Sequence, residues 1–328
     1  MSLSTALVFG KFMPLHQGHI AMIDFAANHC ERVIVLVCAQ DFEPIPGPQR
    51  LQWVQQTFKN HPKVMVEYTE VQLPYSSESS RSISEIWSRY FTERYGNQIT
   101  HVVTSEKYGD YVAEYMDIRH VLFDPQRRQQ PVSATLIRQN PFTHWKYIAQ
   151  AARPYFARKV CLYGPESVGK STMTVQLAEH FQTCYAQEMG RILVQDSTDC
   201  SIEDIRKIPE AHAKEIQLQL LNANKVLFCD TDLHTTRVYA RYMFGHTLDV
   251  KDWIEQVNQY DLYLFLDTDV PFVQDGTRLG AHCREELKRL FIKQLEAHEI
   301  PYHWIRGNWD QRFEQAVALV KEKILEVH

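Results

Sequence analysis

The sequence predicts an α/β protein in which two domains each hold a parallel β-sheet. Short runs of apolar residues alternate with longer amphipathic stretches, a pattern typical of strands that helices cover on both faces. The alternation runs through the first 124 residues and starts again at residue 159. A chain of 328 residues, 45% of them hydrophobic, is long enough to bury two separate cores.

Five apolar runs in the first part of the chain predict strands, and three amphipathic stretches between them predict helices. The strands are expected at 6–10, 33–38, 64–68, 101–105 and 120–124. The helices are expected at 19–29, 48–58 and 82–95. Because strands and helices alternate, neighbouring strands are expected to run parallel.

The second part of the chain repeats this pattern. Strands are expected at 159–164, 226–230 and 262–267, and helices at 171–181, within 203–225, at 285–298 and at 312–325. The connecting segment 141–158 begins as a helical pattern that Pro154 interrupts. We therefore place the boundary near this proline, which gives domains of residues 1–153 and 157–328.

The overall composition argues against several classes of protein. A net charge of −5 and an isoelectric point near 6.3 do not suit a nucleic-acid wrap or a basic membrane-binding surface. The first apolar run is too short for a signal peptide, and no run reaches 18 residues, so no transmembrane helix is expected. The seven cysteines are scattered without a CxxC pair, which favours reduced thiols in a cytoplasmic protein.

The clearest motif is GPESVGKS at 164–171, which fits the phosphate-binding pattern G-x-x-x-x-G-K-[ST]. In such a loop, backbone N–H groups surround phosphate oxygens, Lys170 places its charge at the β- and γ-phosphates, and Ser171 offers a hydroxyl to Mg²⁺. The predicted ATP contacts of this loop are Gly164, Glu166, Ser167, Val168, Gly169, Lys170, Ser171 and Thr172.

A P-loop also needs a carboxylate on a neighbouring strand. Asp230 ends the apolar run VLFCD, where it could hold Mg²⁺ through water or accept a proton from a substrate hydroxyl. Asp267 and Asp269 follow a similar run and are rivals for this role.

Four further polar residues are candidates for the same site. Arg278 lies in a glycine-containing loop and could reach the transferring phosphates, although a solvated surface charge explains it equally well. Glu188, Arg191 and Asp232 are candidates for contacts to the acceptor, although a surface charge pair explains Glu188 and Arg191 equally well. The second unit has about the size of a small-metabolite kinase.

The stretch GKFMPLHQGH at 10–19 is the most unusual feature of the first half. His16 and His19 lack the further ligands that a zinc site needs, and two histidines beside a glycine directly after a strand would be unusual in a core. With Lys11 they instead lie where an open α/β sheet binds ligands, and could stabilise charge on an α-phosphate. Downstream, Ser133, Thr135 and Arg138 form either an anion site or a capped helix start, and both can be true.

GKFMPLHQGH and SATLIR resemble the two signatures of the HxGH nucleotidyltransferases, in which the second is usually worded ISxTxxR. Followed by a P-loop unit, they resemble the NadR-type enzymes, which join a nicotinamide-nucleotide adenylyltransferase to a ribosylnicotinamide kinase. The resemblance implies a Rossmann-like first domain, two ATP-dependent reactions that need Mg²⁺, and NAD as product. It implies small-molecule substrates, no nucleic acid partner and, with the first strand near Thr5, no helix-turn-helix domain. Homo-oligomer formation is left open.

The resemblance also implies roles for particular residues. In the transferase Lys11, His16 and His19 would contact ATP phosphates, and Arg138 with its two hydroxyl neighbours would hold the β- and γ-phosphates. The predicted ATP-binding residues of this domain are Gly10, Lys11, Phe12, His16, His19, Ser133, Thr135 and Arg138. Trp87 is the candidate to stack on the nicotinamide ring, and a core position explains it equally well.

Two other functions are compatible with these motifs. One is a different adenylyltransferase–kinase fusion, such as a coenzyme A synthase. The other is a nucleotide-sensing regulator with degenerate sites, against which the intact Lys170, His16 and His19 argue.

Overall fold

The structure, a computed structural model, describes residues 3–74, 79–194, 200–274 and 278–326. Residues 275–277, in the loop that precedes Arg278, lie outside the described part. The chain divides into two compact units, Met1–Arg153 and Pro154–His328. Each unit contains one five-stranded sheet in which every paired strand is parallel. The predicted fold class is therefore confirmed.

The sheet of the first unit has the order β3-β2-β1-β4-β5. Its strands are β1 (Thr5–Gly10), β2 (Arg32–Ala39), β3 (Val64–Glu70), β4 (His101–Thr104) and β5 (Arg119–Leu122). The strand β1 is central, and the chain changes direction across the sheet between β1 and β4. In an open α/β sheet such a switch point leaves a crevice at the carboxyl ends of the strands.

Among the described residues of this unit, five helices of at least six residues cover the sheet. They are α1 (Gln17–His29), α2 (Gly47–Phe58), α3 (Arg81–Tyr95), α4 (Tyr108–Met116) and α5 (Ala134–Gln139). Phe91 of α3 and Val112 of α4 pack with Leu7 and Leu36 of the sheet in one fully buried cluster. The sequence analysis did not predict α4, because nine residues are too few for a clear helical period.

The connecting segment differs from its prediction. It forms two 3₁₀ turns, Trp145–Tyr147 and Gln150–Ala152, and then the short helix α6 (Arg153–Phe156). Pro154 therefore lies in the first turn of a helix, where its missing N–H is not needed. The prediction of a helix that Pro154 interrupts was wrong, because proline starts a helix as readily as it ends one.

The sheet of the second unit has the order β10-β9-β6-β8-β7. Its strands are β6 (Arg158–Tyr163), β7 (Tyr185–Ala186), β8 (Val226–Asp230), β9 (Leu262–Leu266) and β10 (His303–Ile305). Here β6 is central and leads directly into the P-loop. Its neighbours β8 and β9 end in the two acidic segments that the sequence analysis selected.

Seven helices follow the strands in the described part of the second unit. They are α7 (Lys170–His180), α8 (Met189–Leu193), α9 (Ile202–Leu220), α10 (Leu233–Phe244), α11 (Asp252–Val257), α12 (Arg284–Ala297) and α13 (Trp309–Val320). Ser201 and Asp204 start α9 with reciprocal side-chain and backbone hydrogen bonds, which satisfy N–H groups that the first turn leaves unpaired. In the described part of the chain, no helix is both long enough and apolar enough to cross a membrane.

Candidate active sites

A cavity of about 560 Å³ opens in the first unit at the carboxyl ends of β1 and β4. It brings together two motifs that lie far apart in the sequence. All eight residues predicted to bind ATP in this half line it, namely Gly10, Lys11, Phe12, His16, His19, Ser133, Thr135 and Arg138. Trp87 lines the same cavity.

His16 is held by the start of α1. Its Nδ1 accepts a hydrogen bond from the Gly18 N–H at 3.1 Å, so in the neutral ring the proton is on Nε2. A Cβ added to Gly18 would lie 3.0 Å from the His16 ring, which is tighter than an ordinary contact. The glycine of HQGH is therefore needed so that the imidazole can fold over the first turn of the helix.

His19 stacks on His16, with ring centroids 3.7 Å apart and an interplanar angle of 23°. Burial, together with the charge of Arg127, lowers the pKa of His16 to about 4. Burial lowers the pKa of His19 well below its ordinary value, and the neighbouring His16 and Arg127 add to this shift. Both rings are therefore neutral at pH 7. The Nδ1 atom of His19 is buried and has no hydrogen-bond partner among the described residues.

Lys11 is joined to a buried network that the sequence analysis missed. Its ammonium group lies 2.8 Å from Glu43, and Glu43 also pairs with the fully buried Arg50 at 2.5 Å. Arg50 in turn donates to the backbone carbonyl of Lys11 at 2.8 Å. Burial alone would raise the pKa of Glu43, but bonds from Lys11 and the backbone N–H of Gln40, with the Arg50 charge, lower it. The network therefore binds the ammonium group of Lys11 through Glu43 and its backbone carbonyl through Arg50.

Arg138 connects the second motif to the first. Its Nη1 donates to the carbonyl of Met13 at 2.5 Å, and its Nη2 donates to the hydroxyl of Thr135 at 3.3 Å. Ser133 is the N-cap of α5, where its hydroxyl accepts from the Leu136 N–H at 3.2 Å. The predicted capped helix start is thus present, and the same residues face the cavity.

Trp87 lies partly in the core and partly in the cavity, the two positions between which the sequence did not decide. Its ring is half-buried, stacks on Phe9 with centroids 6.3 Å apart, and packs against the core of the sheet. Its Nε1 donates to the carbonyl of Pro74 at 3.0 Å, which fixes the plane of the indole. One part of this side chain belongs to the core while another lines the cavity.

Arg127 also lines this cavity and was not among the predicted residues. It lies between β5 and the SATLIR motif, in a turn that no periodic pattern marks. The only signal in the sequence was a pair of adjacent arginines, 127 and 128, shortly before Ser133.

The P-loop of the second unit follows β6. The backbone of Gly164 and Gly169 has φ of 135° and 89°, a region that disfavours residues with a Cβ. The buried ammonium of Lys170 donates to the carbonyls of Gly164 and Pro165 at 2.9 and 2.8 Å, so it lies within the loop. The remaining predicted loop residues, Glu166, Ser167, Val168, Ser171 and Thr172, complete this segment.

Asp230 lies beside the start of α7. Burial, together with the charge of Glu188, raises its pKa to about 6, although Lys170 and a hydrogen bond with Ser171 act in the opposite direction. Its Oδ1 atom is buried and has no hydrogen-bond partner among the described residues. A hydroxyl next to a carboxylate oxygen without a partner suits Mg²⁺, which takes one or two protein oxygens together with substrate phosphates. The described residues contain no preformed cluster of three metal-ligating side chains.

The other three candidate aspartates, Asp232, Asp267 and Asp269, form hydrogen bonds or ion pairs within the protein. Asp232 caps α10 through the Thr235 N–H at 2.8 Å and accepts from the Tyr263 hydroxyl at 2.9 Å. It is buried and does not line the cavity of this unit, so we no longer propose it as a substrate contact.

Asp267 and Asp269 lie on the other side of the P-loop strand. Asp267 pairs with Lys288 and Arg306, and these bonds lower its pKa to about 2 although burial alone would raise it. Asp269 pairs with Arg312, which is fully buried and also donates to the Val168 carbonyl of the P-loop at 2.9 Å. These two aspartates anchor the loop, and among the three rival aspartates only Asp230 has a buried carboxylate oxygen without a hydrogen-bond partner among the described residues.

A second cavity, of about 110 Å³, adjoins the P-loop. Glu166, Lys170, Glu188, Arg191 and Arg278 all line it. Arg191 donates to Glu188 at 2.8 Å, and Glu166 accepts from the backbone N–H of Leu279, the residue after Arg278. The structure therefore places two of the three predicted acceptor residues, Glu188 and Arg191, and the loop arginine Arg278 in one cavity.

Comparison with known proteins agrees with this division into two sites. Residues 7–140 match the family described as cytidylyltransferase-like, and residues 159–312 match the family described as AAA domain. The trifunctional NAD biosynthesis/regulator protein NadR of Escherichia coli (strain K12) is 33% identical over 342 residues, covering 96% of this chain and 82% of that protein. The chain belongs to the NadR family.

The NadR protein of Salmonella typhimurium has the same identity and coverage. A crystal structure of a NadR protein with NAD and AMP-PNP superposes with a TM-score of 0.79 at 20% identity, covering 100% of this chain and 98% of that one. A NadR structure with NR gives the same TM-score at 21% identity, covering 100% of this chain and 97% of that one. At these identities the two structures establish the shared NadR fold.

Proposed function

We propose that the chain is a bifunctional NAD salvage enzyme. Its second unit phosphorylates the 5′-hydroxyl of nicotinamide riboside with ATP and gives nicotinamide mononucleotide. Its first unit joins this mononucleotide to the AMP part of another ATP and gives NAD and pyrophosphate. The product of one reaction is the substrate of the other.

The cavity of the first unit suits adenylyl transfer. A phosphate oxygen of the mononucleotide attacks the α-phosphorus of ATP, and the bond from that phosphorus to the bridging oxygen of pyrophosphate breaks. Nothing in this step requires a proton acceptor, so positioning and charge stabilisation can supply the catalysis. The neutral imidazoles of His16 and His19 act as hydrogen-bond donors to the α-phosphate, and Lys11 and Arg138 supply positive charge. Trp87 offers a flat apolar surface for the nicotinamide ring.

The cavity of the second unit suits phosphoryl transfer to a hydroxyl. Lys170, Arg278, Glu188 and Arg191 line it. We assign the first two to the transferring phosphate and the other two to the acceptor. The 5′-hydroxyl must lose its proton as its oxygen attacks the γ-phosphorus, and ADP leaves. Glu188 lines this cavity whereas Asp230 does not, so we assign Glu188 to the hydroxyl and Asp230, with Ser171, to Mg²⁺. The metal supplies charge that offsets the phosphates.

One observation carries this proposal. The first unit brings all eight residues predicted to bind ATP into one cavity, and the second places Glu166 and Lys170 of its P-loop in another, in a chain that is 33% identical to NAD biosynthesis proteins over 96% of its length. A fusion with another acceptor would keep the phosphate contacts but has no need for an aromatic ring such as Trp87 in the transferase cavity.

The test is to incubate the purified chain with ATP, Mg²⁺ and nicotinamide riboside and to separate the products by chromatography. We expect nicotinamide mononucleotide first and NAD afterwards. A parallel reaction contains phosphopantetheine in place of the riboside. Formation of neither nicotinamide product, in a preparation that converts phosphopantetheine, would refute the proposal and favour the coenzyme A alternative.

A further inference from the structure

Arg127 is the remaining cation of the transferase cavity. It lines the cavity together with both halves of the predicted site, the HQGH side and the Ser133 side. His16 and His19 line the same cavity, and the charge of Arg127 adds to the burial that lowers the pKa of both imidazoles. No motif of the sequence assigns a role to this residue.

The backbone around Arg127 is held in one conformation. Asp124 accepts the backbone N–H of Arg128 with Oδ1 and that of Gln129 with Oδ2, both at 2.9 Å. The carbonyl of Asp124 accepts the N–H of Arg127, also at 2.9 Å. Asp124 and Arg127 have φ of 40° and 51°, a left-handed conformation that costs free energy in residues other than glycine. A turn that is strained and yet bonded at three N–H groups fixes the direction of the Cα–Cβ bond of Arg127, and so the side of the turn from which its side chain extends.

The other cations of the cavity are bound more closely by the protein. Lys11 lies 2.8 Å from the buried Glu43, and Arg138 donates at 2.5 Å to a backbone carbonyl. Arg127 has a looser ion pair, 3.7 Å from Glu106, in which both side chains are about half exposed. An exposed pair of this kind contributes little free energy, so a phosphate can replace Glu106 at small cost.

We propose that Arg127 is a further catalytic residue of adenylyl transfer, and that it binds the triphosphate of ATP where the α-phosphate joins the leaving pyrophosphate. The planar guanidinium can donate two hydrogen bonds to two oxygens of such a group. Negative charge increases on the pyrophosphate side as the bond to the α-phosphorus breaks, so this contact strengthens during the reaction. The inference rests on the proposed function of the first unit.

The test compares Arg127→Gln with Arg128→Gln, since Arg128 is the adjacent, exposed arginine and does not line the cavity. With mononucleotide and ATP as substrates, Arg127→Gln should lower kcat for NAD formation about 100-fold. It should also weaken product inhibition by pyrophosphate, and leave the KM for mononucleotide within threefold. Arg128→Gln should remain within twofold throughout, and Arg127→Lys should recover part of the activity because it restores charge without the planar fork.

The circular dichroism spectrum and denaturant unfolding of the same variants report whether the first unit is folded, because riboside phosphorylation reports only on the second unit. An Arg127→Gln protein within threefold of the parent in kcat would overturn the inference, as would an equal loss in Arg128→Gln. Calorimetric titration with magnesium pyrophosphate adds a readout that needs no turnover. Pyrophosphate that binds at the P-loop contributes equally in parent and variant, so any difference between them comes from the first cavity. Pyrophosphate binding that is the same in the parent and in Arg127→Gln therefore also overturns the inference. A parent that binds pyrophosphate through Arg127 but forms no NAD would instead refute the proposed function.

Discussion

The two cavities meet the same chemical requirement in different ways. Both lie at the carboxyl end of a central parallel strand, and both are suited to the phosphates of a nucleotide. The P-loop relies mainly on consecutive backbone N–H groups between Gly164 and Thr172, with one ammonium. The first cavity relies on side chains from two distant segments, 10–19 and 133–138. A site that binds phosphate through its backbone therefore appears in the sequence as one contiguous motif, whereas a site that uses side chains appears as two separate motifs.

The cavities also differ in charge. Lys170 carries an ammonium group inside its loop, whereas His16 and His19 are neutral because burial and Arg127 lower their pKa. The first site thus combines uncharged donors with cations at its edge. If this contrast is right, substitutions in one cavity should leave the other reaction unaffected.

The largest expected effect is that of Lys170→Ala. Riboside phosphorylation should fall about 1000-fold, because no other ammonium reaches the β- and γ-phosphates from within the loop. NAD formation from added mononucleotide should stay within twofold of the parent. Product chromatography measures both rates. Loss of both activities in a protein with a native circular dichroism spectrum would contradict the assignment of two separate sites.

The reverse pattern is expected for His19→Ala. NAD formation should fall about 100-fold, because the variant loses a donor aimed at the reacting phosphate, while riboside phosphorylation is retained. His29→Ala is the matched control, since His29 is exposed at the other end of α1. Equal losses in both histidine variants would show that the helix, rather than the imidazole, was affected.

The pH dependence of the unfolding free energy should show whether His16 is neutral or charged in the folded protein. The folded pKa of about 4 lies below the unfolded value of 6.5, so the unfolded chain binds a proton that the folded chain does not. Stability from this group is present above pH 6.5 and is lost as the pH falls towards 4. In His16→Asn the amide oxygen can still accept from Gly18 but does not titrate.

Denaturant unfolding at pH 7.5 and pH 4.5 measures this difference. The parent should lose about 2 to 3 kcal/mol more than His16→Asn between the two pH values. An equal loss in both proteins would mean that His16 is protonated in the folded state, and the contrast with Lys170 would disappear.

The smallest expected effect concerns Trp87. Trp87→Leu should raise the KM for mononucleotide about tenfold, because an aliphatic side chain cannot stack on a planar ring. Trp87→Phe should stay within threefold, and neither variant should change riboside phosphorylation. If both substitutions lower the unfolding temperature equally and leave KM unchanged, Trp87 is only a core residue.

Much of the fold could be predicted because the patterns that carry it are local. Buried parallel strands are nearly continuous apolar runs, and α1, α2 and α3 begin within two residues of their predicted positions. The elements that were missed include the short α4 and β10, since nine and three residues do not establish a period, and also the twelve-residue helix α10. The segment around Pro154 was misinterpreted because proline is compatible with the start of a helix as well as with its end.

The sequence by itself determined the two parallel sheets, the P-loop and the residues of HQGH and SATLIR, because each depends on the order of neighbouring residues. Only the tertiary structure distinguished the surroundings of Asp230 from those of Asp267 and Asp269, since the ion pairs of the last two come from helices distant in the chain. It alone showed the neutral imidazoles, the network behind Lys11 and the position of Arg127. Burial and charge at a site depend on which segments meet there, and folding brings those segments together from across the chain.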